Sequence, residues 1–128
     1  MKLRIRGDSL RFRLTQGEVS SLLAKKKVSE SVRFSSSGGD ALIYSLQMLE
    51  RASEVRACFA NGEIVVDLPM LLVESWAATD QVGIEYAQPT SEGRQLRIVV
   101  EKDFRCLLPR PEEDESDNFP NPEKSSVL

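Results

Sequence analysis

The chain has 128 residues, 41% of them hydrophobic and 29% charged, which is typical of one globular domain with an ordinary core. It has no histidine and two cysteines, Cys58 and Cys106, so a nucleophile activated by histidine is excluded and too few ligands remain for a zinc site. No apolar run approaches the roughly 18 residues of a membrane helix. We therefore expect a cytoplasmic protein with no membrane partner, no metal, no cofactor and two buried, reduced thiols.

The net charge of −3 conceals an uneven distribution along the chain. Residues 1–35 contain nine Lys and Arg against three acidic residues, whereas residues 101–128 contain four against eight. Such asymmetry indicates either an interaction surface or two parts of one chain that neutralise each other.

The first residues predict a β-hairpin with one basic face. Lysine or arginine alternates with apolar residues on both sides of Gly7-Asp8, a pair that suits a two-residue turn. With that turn, the apolar residues share one face of the hairpin. The other face carries four cations in two directly opposite pairs, Arg4 with Arg11 and Lys2 with Arg13.

A helix, a strand and a loop are predicted next. Thr15 and Glu18 have the spacing of a capping box, which predicts a short helix to about Lys25. Residues 28–34 alternate as a strand, and the serine- and glycine-rich residues that follow predict a loop. Residues 41–49 fit both a helix and a strand, and we interpret them as a strand.

The middle of the chain predicts a second hairpin and a second helix. Asn61-Gly62, between two alternating runs, is a strong turn signal and places Arg56 opposite Asp67. A proline opens the predicted helix over residues 69–77, in which Trp76 is a core residue. Two further strands follow, separated by a loop rich in turn residues.

The pattern changes after the last predicted strand, over residues 96–104. Residues 107–128 are acidic and rich in proline, with too few apolar side chains to order themselves. We predict one α+β domain over residues 1–106, with a mainly antiparallel, curled or barrel-like sheet of about eight strands and two short helices. A disordered tail over residues 107–128 follows this domain.

Four stretches of the chain form a recognisable set: residues 2–16, the run Glu101-Lys102-Asp103-Phe104-Arg105-Cys106-Leu107, and the tail runs Glu113-Asp114-Glu115 and Phe119-Pro120-Asn121-Pro122. Together they resemble a family of short bacterial proteins classed only as a domain of unknown function. The resemblance covers nearly the whole chain. It implies a free-standing, strand-rich bacterial protein, and it brings no activity, ligand or catalytic residue with it.

Like charges that face each other on a sheet repel, so the four hairpin cations require an anion nearby. One hypothesis is intramolecular: Glu101 and Asp103 share a face of the last strand and form an acidic counterpart beside the hairpin. The other is an external anion, either a phosphorylated ligand or an acidic protein partner. Nucleic acid is disfavoured because the chain is acidic, with a pI of about 5.1, and Phe12 faces the apolar side of the hairpin.

The acidic tail is a second candidate for binding. A proline-bracketed acidic segment can dock into another protein, or it can fold back over the basic hairpin face.

An enzyme is the alternative. Glu101 and Asp103, about 7 Å apart by strand geometry and close to arginines, suit hydrolysis of a phosphate compound or nucleotide. Such a pair is more often a charge ladder on a solvated strand. The sequence therefore favours a non-enzymatic binding or interaction protein, whose anion- or partner-binding residues are Lys2, Arg4, Arg11 and Arg13.

Overall fold

The computed structural model describes residues 1–105 and 116–122. Within these residues the chain forms eight strands and two helices, as the hydrophobic patterns predict, and the ambiguous residues 41–49 are a strand. The elements in chain order are β1 (Lys2–Ile5), β2 (Ser9–Leu14), α1 (Gln16–Lys25), β3 (Lys27–Arg33), β4 (Ala41–Leu49), β5 (Arg56–Ala60), β6 (Glu63–Pro69), α2 (Met70–Ala78), β7 (Gly83–Pro89) and β8 (Gln95–Lys102).

The described strands form two four-stranded sheets. Sheet A has the order β1-β2-β8-β7 and sheet B the order β3-β4-β6-β5. The outer pairs of each sheet are antiparallel, whereas the central pairs, β2 with β8 and β4 with β6, are parallel. The α+β class with mainly antiparallel pairing is confirmed. The expectation of one curled or barrel-like sheet is corrected, because the strands form two separate sheets: one parallel pair joins the first hairpin to the last, and the other joins the two hairpins in the middle of the chain.

Both predicted hairpins have the predicted registers. In the first, Lys2 pairs with Arg13 and Arg4 with Arg11, and in the second Arg56 pairs with Asp67. In the second turn, Asn61 and Gly62 have φ angles of 53° and 74°, which asparagine and glycine adopt most readily. Turn chemistry therefore determines both registers.

Each helix begins where its sequence signal predicts. The Thr15 hydroxyl accepts a hydrogen bond from the Glu18 N–H, 3.3 Å, and the Glu18 carboxylate accepts one from the Thr15 N–H, 2.9 Å, so the capping box is present. Pro69 directly precedes α2. Trp76 is fully buried and donates its indole N–H to the carbonyl of Val82 at 3.0 Å, which confirms its place in the core.

The two halves of the chain repeat one architecture. The elements of the first half, β1-β2-α1-β3-β4, match those of the second half, β5-β6-α2-β7-β8, one by one. When each strand is replaced by its equivalent in the other half, the strand order of sheet A becomes that of sheet B, which is the relationship that a two-fold axis produces. The match holds within the parallel pairs: Leu14 pairs with Lys102 as Leu68 pairs with Met48, and equivalent residues lie 54 positions apart. Buried helix residues correspond in the same way, Val19 with Val73 and Leu22 with Trp76.

One hydrophobic cluster contains residues of both sheets and both helices, among them Phe12, Leu22, Leu46, Val66, Trp76 and Ile98. The prediction that Cys58 is buried is wrong, because it lies on the edge strand β5 with its side chain exposed, while the preceding Ala57 is buried. Cys106 lies outside the described residues. No helix in the described part of the chain is long and apolar enough to cross a membrane.

Candidate functional site

Glu101 joins the first hairpin to the last strand of sheet A. Because β2 and β8 are parallel neighbours, Arg13 lies directly opposite Glu101. The Glu101 carboxylate accepts hydrogen bonds from Nη1 of Arg11, 3.0 Å to each oxygen, and from Nε of Arg13, 2.9 Å. The Glu101 side chain is 15% exposed, so these charge-assisted bonds are partly shielded from water. Glu101 is thus one of the carboxylates that the intramolecular hypothesis places beside the hairpin.

Lys2 and Asp103 form a second ion pair on this face. The Nζ atom of Lys2 lies 3.2 Å from Oδ2 of Asp103. Two backbone hydrogen bonds fix Asp103, because its N–H donates to the carbonyl of Leu14 and its carbonyl accepts from the N–H of Phe119, both at 2.8 Å. Asp103 is therefore a fixed neighbour of the hairpin.

Arg4 is the member of the predicted site that has no ion pair with any residue of 1–105 or 116–122. It is exposed and lies opposite Arg11 on the neighbouring strand. We call the surface formed by Lys2, Arg4, Arg11 and Arg13 the basic face. Its four cations meet two carboxylates, those of Glu101 and Asp103, so two positive charges remain uncompensated among the described residues.

Buried apolar surface lies beneath the charged side chains. Val99 is buried although it lies opposite Arg11 and outside the main hydrophobic cluster. Long charged side chains cover apolar surface with their aliphatic stems while their charged ends stay in water. Arg11 therefore has a packing role in addition to its charge, whereas Arg4, on the edge strand, does not face a buried residue.

The amino group of Met1 fixes the start of β1. It donates hydrogen bonds to the carboxylates of Glu18 and Glu30, and the carbonyl of Met1 accepts one from the Tyr44 hydroxyl at 3.3 Å. Burial by itself lowers the pKa of this amine, but the hydrogen bonds and charges of Glu18 and Glu30 outweigh burial and raise the pKa above its ordinary value of 8.0. These contacts hold β1 against α1, β3 and β4, and so position Lys2.

Residues 116–122 pack beside the start of α1 and the end of β8. The Asp117 carboxylate accepts a hydrogen bond from the N–H of Gly17 at 3.2 Å, which places a negative charge at the helix N-terminus. The Phe119 ring lies edge-on to Phe104, with ring centroids 5.8 Å apart. The Nζ atom of Lys102 lies 5.5 Å from the centroid of the Phe119 ring.

This segment belongs to the region that the sequence predicted as a disordered tail. One aromatic side chain and several backbone hydrogen bonds suffice to hold residues 116–122 against the domain. The acidic residues 112–115 lie outside the described residues, so the predicted docking role of the tail stays a prediction, as does the domain boundary at residue 106.

The two carboxylates suggested for catalysis are both engaged by cations. Glu101 accepts three hydrogen bonds from arginines, and Asp103 pairs with Lys2. Their oxygens are thus directed at the protein's own cations rather than at a free space for substrate. Within residues 1–105 and 116–122, no three Cys, Asp or Glu side chains cluster in a way that could hold a metal ion.

An apolar groove that the sequence patterns do not predict opens between the two sheets. Its volume is about 400 Å³. Six of its lining side chains form three pairs related by the 54-residue repeat, namely Ile5 with Phe59, Leu10 with Ile64, and Leu42 with Leu96. The groove therefore lies where the two halves meet, and the 54-residue repeat is the sequence feature that these lining residues share.

No curated protein and no solved structure matches this chain. Residues 1–123 match DUF7009, a family of unknown function. Because this match spans nearly the whole sequence, the protein belongs to the DUF7009 family.

Proposed function

We propose that this protein is a non-enzymatic binding protein whose basic face binds an anionic group of a ligand or protein partner. The observation that carries the proposal is the pair Arg4 and Arg11. Arg4 is exposed and unpaired in the described part of the chain, while Glu101 fixes the guanidinium of Arg11 opposite it. A fixed guanidinium beside a free one forms a preorganised set of donors for a phosphate or carboxylate.

The internal duplication supports this proposal. The two halves share their buried positions but not their outward charges. Sheet B thus has the same architecture without a basic cluster, so the fold does not require one. Only Lys2 corresponds to a residue of like charge in sheet B, Arg56, whereas the others correspond to unlike residues: Arg4 to Cys58, Arg11 to Val65, Arg13 to Asp67 and Glu101 to Gln47.

The acidic counterparts support an orienting role rather than a covering one. Glu101 belongs to a strand paired with β2, and two backbone hydrogen bonds hold Asp103, so the backbone keeps both residues beside the hairpin. They reduce the repulsion between the arginines and leave a net positive charge for an external anion. The bacterial origin that the resemblance implies, and the cytoplasmic location expected from the sequence, stay part of this proposal.

The alternative, a hydrolase of small phosphate compounds or nucleotides, has weaker support. It needs Glu101 or Asp103 to face a substrate, whereas both are engaged by cations of the hairpin. Phosphate release from a nucleotide in the presence of Mg²⁺, abolished by Glu101→Gln, would favour the hydrolase over the binding protein.

Titration of the full chain with tripolyphosphate by isothermal calorimetry, at low and high salt, tests the proposal. We expect binding at low salt that weakens as salt rises, and about a fivefold loss of affinity in Arg4→Gln, since a partly exposed ion pair is worth ~1 kcal/mol. Arg33→Gln is the matched control, because Arg33 is an exposed arginine on β3 of the other sheet. Absence of binding at low salt, or an equal loss in both variants, would overturn the proposal. Hexaglutamate in place of tripolyphosphate tells carboxylate from phosphate recognition.

A further inference from the structure

The apolar groove is a surface that the described residues do not fill. Two of the side chains that line it are largely exposed to solvent, Ile5 by 56% and Phe59 by 69%. The volume of about 400 Å³ lies in the range of small-molecule sites, which is ~300–1,000 Å³. Contiguous exposed apolar surface on a small protein is unfavourable in water and marks a place where apolar groups bind.

Unpaired cations lie beside one wall of this groove. Arg4 and Arg6 flank Ile5, and neither forms an ion pair with the residues that the structure describes. Arg4 and Ile5 are on opposite faces of sheet A. Because β1 is an edge strand of this sheet, no further strand lies beyond it, and both faces meet at this edge. Arg6 lies in the turn between these faces, where its N–H donates to the carbonyl of Ser9 at 3.2 Å.

The acidic residues near this wall do not neutralise these cations. Asp8 belongs to the same turn and supplies one negative charge against two positive ones. Glu63 precedes the lining residue Ile64, but its carboxylate accepts a hydrogen bond from the Ser45 hydroxyl at 2.6 Å and lies 3.7 Å from Nζ of Lys27. The groove thus combines an apolar floor with a net positive charge at one side.

We infer that the groove binds a single-chain anionic amphiphile, a molecule with one apolar chain and a carboxylate or phosphate head. The apolar chain of this ligand lies between Ile5 and Phe59. Arg6 binds the anionic head, and Arg4 adds a second positive charge next to it. The inference rests on the proposed function through Arg4, which belongs to the basic face, and it adds Arg6 and the apolar part of the ligand. A groove of this volume accommodates one chain of medium length rather than a two-chain lipid.

Calorimetric titration of the full chain with decanoate, decyl phosphate and neutral decyl maltoside, all below their micelle concentrations, tests this inference. Decanoate and decyl phosphate should bind at least tenfold more tightly than decyl maltoside. Arg6→Gln should remove most of that preference, while Arg33→Gln should keep it. A preference for one of the two anionic heads identifies carboxylate or phosphate as the natural head group.

A matched pair of aromatic substitutions tests the apolar part. Phe59→Ser should weaken decanoate binding about tenfold, whereas Phe34→Ser should not, although the two phenylalanines are similarly exposed, 69% and 71%. Because both are exposed, neither change should prevent folding. Phe59→Ser should also leave tripolyphosphate binding unchanged.

Three results would overturn the inference. Binding of tripolyphosphate without binding of decanoate would agree with the proposed function but would contradict the inference that the ligand is an amphiphile. Equal binding of charged and neutral amphiphiles would remove the role of the arginines. A dimer in solution that Phe59→Ser converts to a monomer, with no decanoate binding in either form, would show that a second copy of the chain covers the groove.

Discussion

Arg13 and Glu101 face each other on neighbouring parallel strands, with Nε and Oε1 2.9 Å apart. The same oxygen lies 3.0 Å from Nη1 of Arg11, so one carboxylate holds two arginines that would otherwise repel each other. The side chains of Arg11 and Arg13 are 31% and 43% exposed, respectively, so water and salt screen their ion pairs with Glu101. Each ion pair therefore contributes at most about 1 kcal/mol to stability. Their main effect is to orient the guanidinium groups.

Glu101→Gln should therefore tighten anion binding while it weakens the fold slightly. The amide keeps the size of the side chain and one oxygen that accepts a hydrogen bond from an arginine, so part of the orientation of Arg11 and Arg13 remains, but it removes the negative charge that lowers the positive potential of the basic face. We expect about fivefold tighter binding of tripolyphosphate at low salt and a loss of about 1 kcal/mol in the free energy of unfolding. Calorimetry and urea denaturation measure the two effects.

Glu50→Gln is the control for net charge. Glu50 is an exposed carboxylate that pairs with Lys26 at 3.5 Å, away from sheet A. The Glu50→Gln substitution should change neither the affinity for tripolyphosphate nor the free energy of unfolding. An equal gain of affinity in both variants would show that only the total charge matters, against the geometry of the basic face.

Local signals in the sequence predict the local structure well. Asn61-Gly62 determines a hairpin register because few residues adopt its backbone angles, and Thr15 with Glu18 marks a helix start because the two satisfy each other's backbone groups. The basic face follows from one such register, since Arg4 and Arg11 become neighbours as soon as the first turn is known.

Long-range pairing leaves no comparable signal. The parallel pairing of Arg13 with Glu101 joins residues far apart in the chain, and parallel strands have no turn between them to reveal the pairing. Phe119 lies in a polar segment without periodicity, so nothing local predicts that it packs on Phe104. The 54-residue repeat is hard to detect in the sequence, because residues at equivalent buried positions are alike, such as Leu14 and Leu68, while most residues at equivalent exposed positions differ.

Gln88→Ala should separate the edge strands of the two sheets. The Gln88 side chain accepts a hydrogen bond from the N–H of Ala57 at 2.7 Å and donates one to its carbonyl at 3.0 Å, which links β7 to β5. Because Ala57 is buried, truncation leaves both of its backbone groups without a partner, at a cost of about 1–3 kcal/mol. Urea denaturation and faster hydrogen exchange of the Ala57 amide report the loss.

Gln95→Ala is the control for this change. Gln95 is exposed, and its side chain makes no hydrogen bond to any residue of 1–105 or 116–122. Its substitution should shift stability by less than about 0.5 kcal/mol. If Gln88→Ala were equally silent, the link between the two edge strands would be of no energetic importance.

Phe119→Ala should destabilise the whole domain rather than only its end. The ring packs against the core cluster and against Phe104, and the neighbouring Asp117 holds the start of α1. Since Phe119 is half-buried, we expect a loss of about 1–3 kcal/mol, below the ~3–5 kcal/mol typical of a fully buried phenylalanine. Leu71→Ala, which removes an apolar side chain from the exposed face of α2, should cost little. A Phe119→Ala variant as stable as the parent chain would show that residues 116–122 do not support the domain.

The Met1 amine should make stability fall as pH rises above about 8. Its pKa is raised in the folded state by Glu18 and Glu30, so the folded chain binds more protons than the unfolded chain at pH values above 8.0. Its contribution is complete below pH 8.0 and disappears as pH passes the folded-state pKa.

Other groups, among them Tyr44 and Lys102, also titrate at alkaline pH, so the measurement compares the free chain with the same chain acetylated at Met1. Burial and the charges of Glu30 and Glu18 raise the pKa of Tyr44 above 10.0, while burial lowers the pKa of Lys102 below 10.5 and the charge of Asp80 partly offsets this. Both effects are present in both chains and cancel in the difference. The free chain should be the more stable at pH 7, and the difference should shrink as pH rises toward 10. A difference that stays constant over this range would mean that the ammonium charge of Met1 does not stabilise the fold, and that β1 is held by its other contacts, among them its backbone pairing with β2 and the Lys2–Asp103 ion pair.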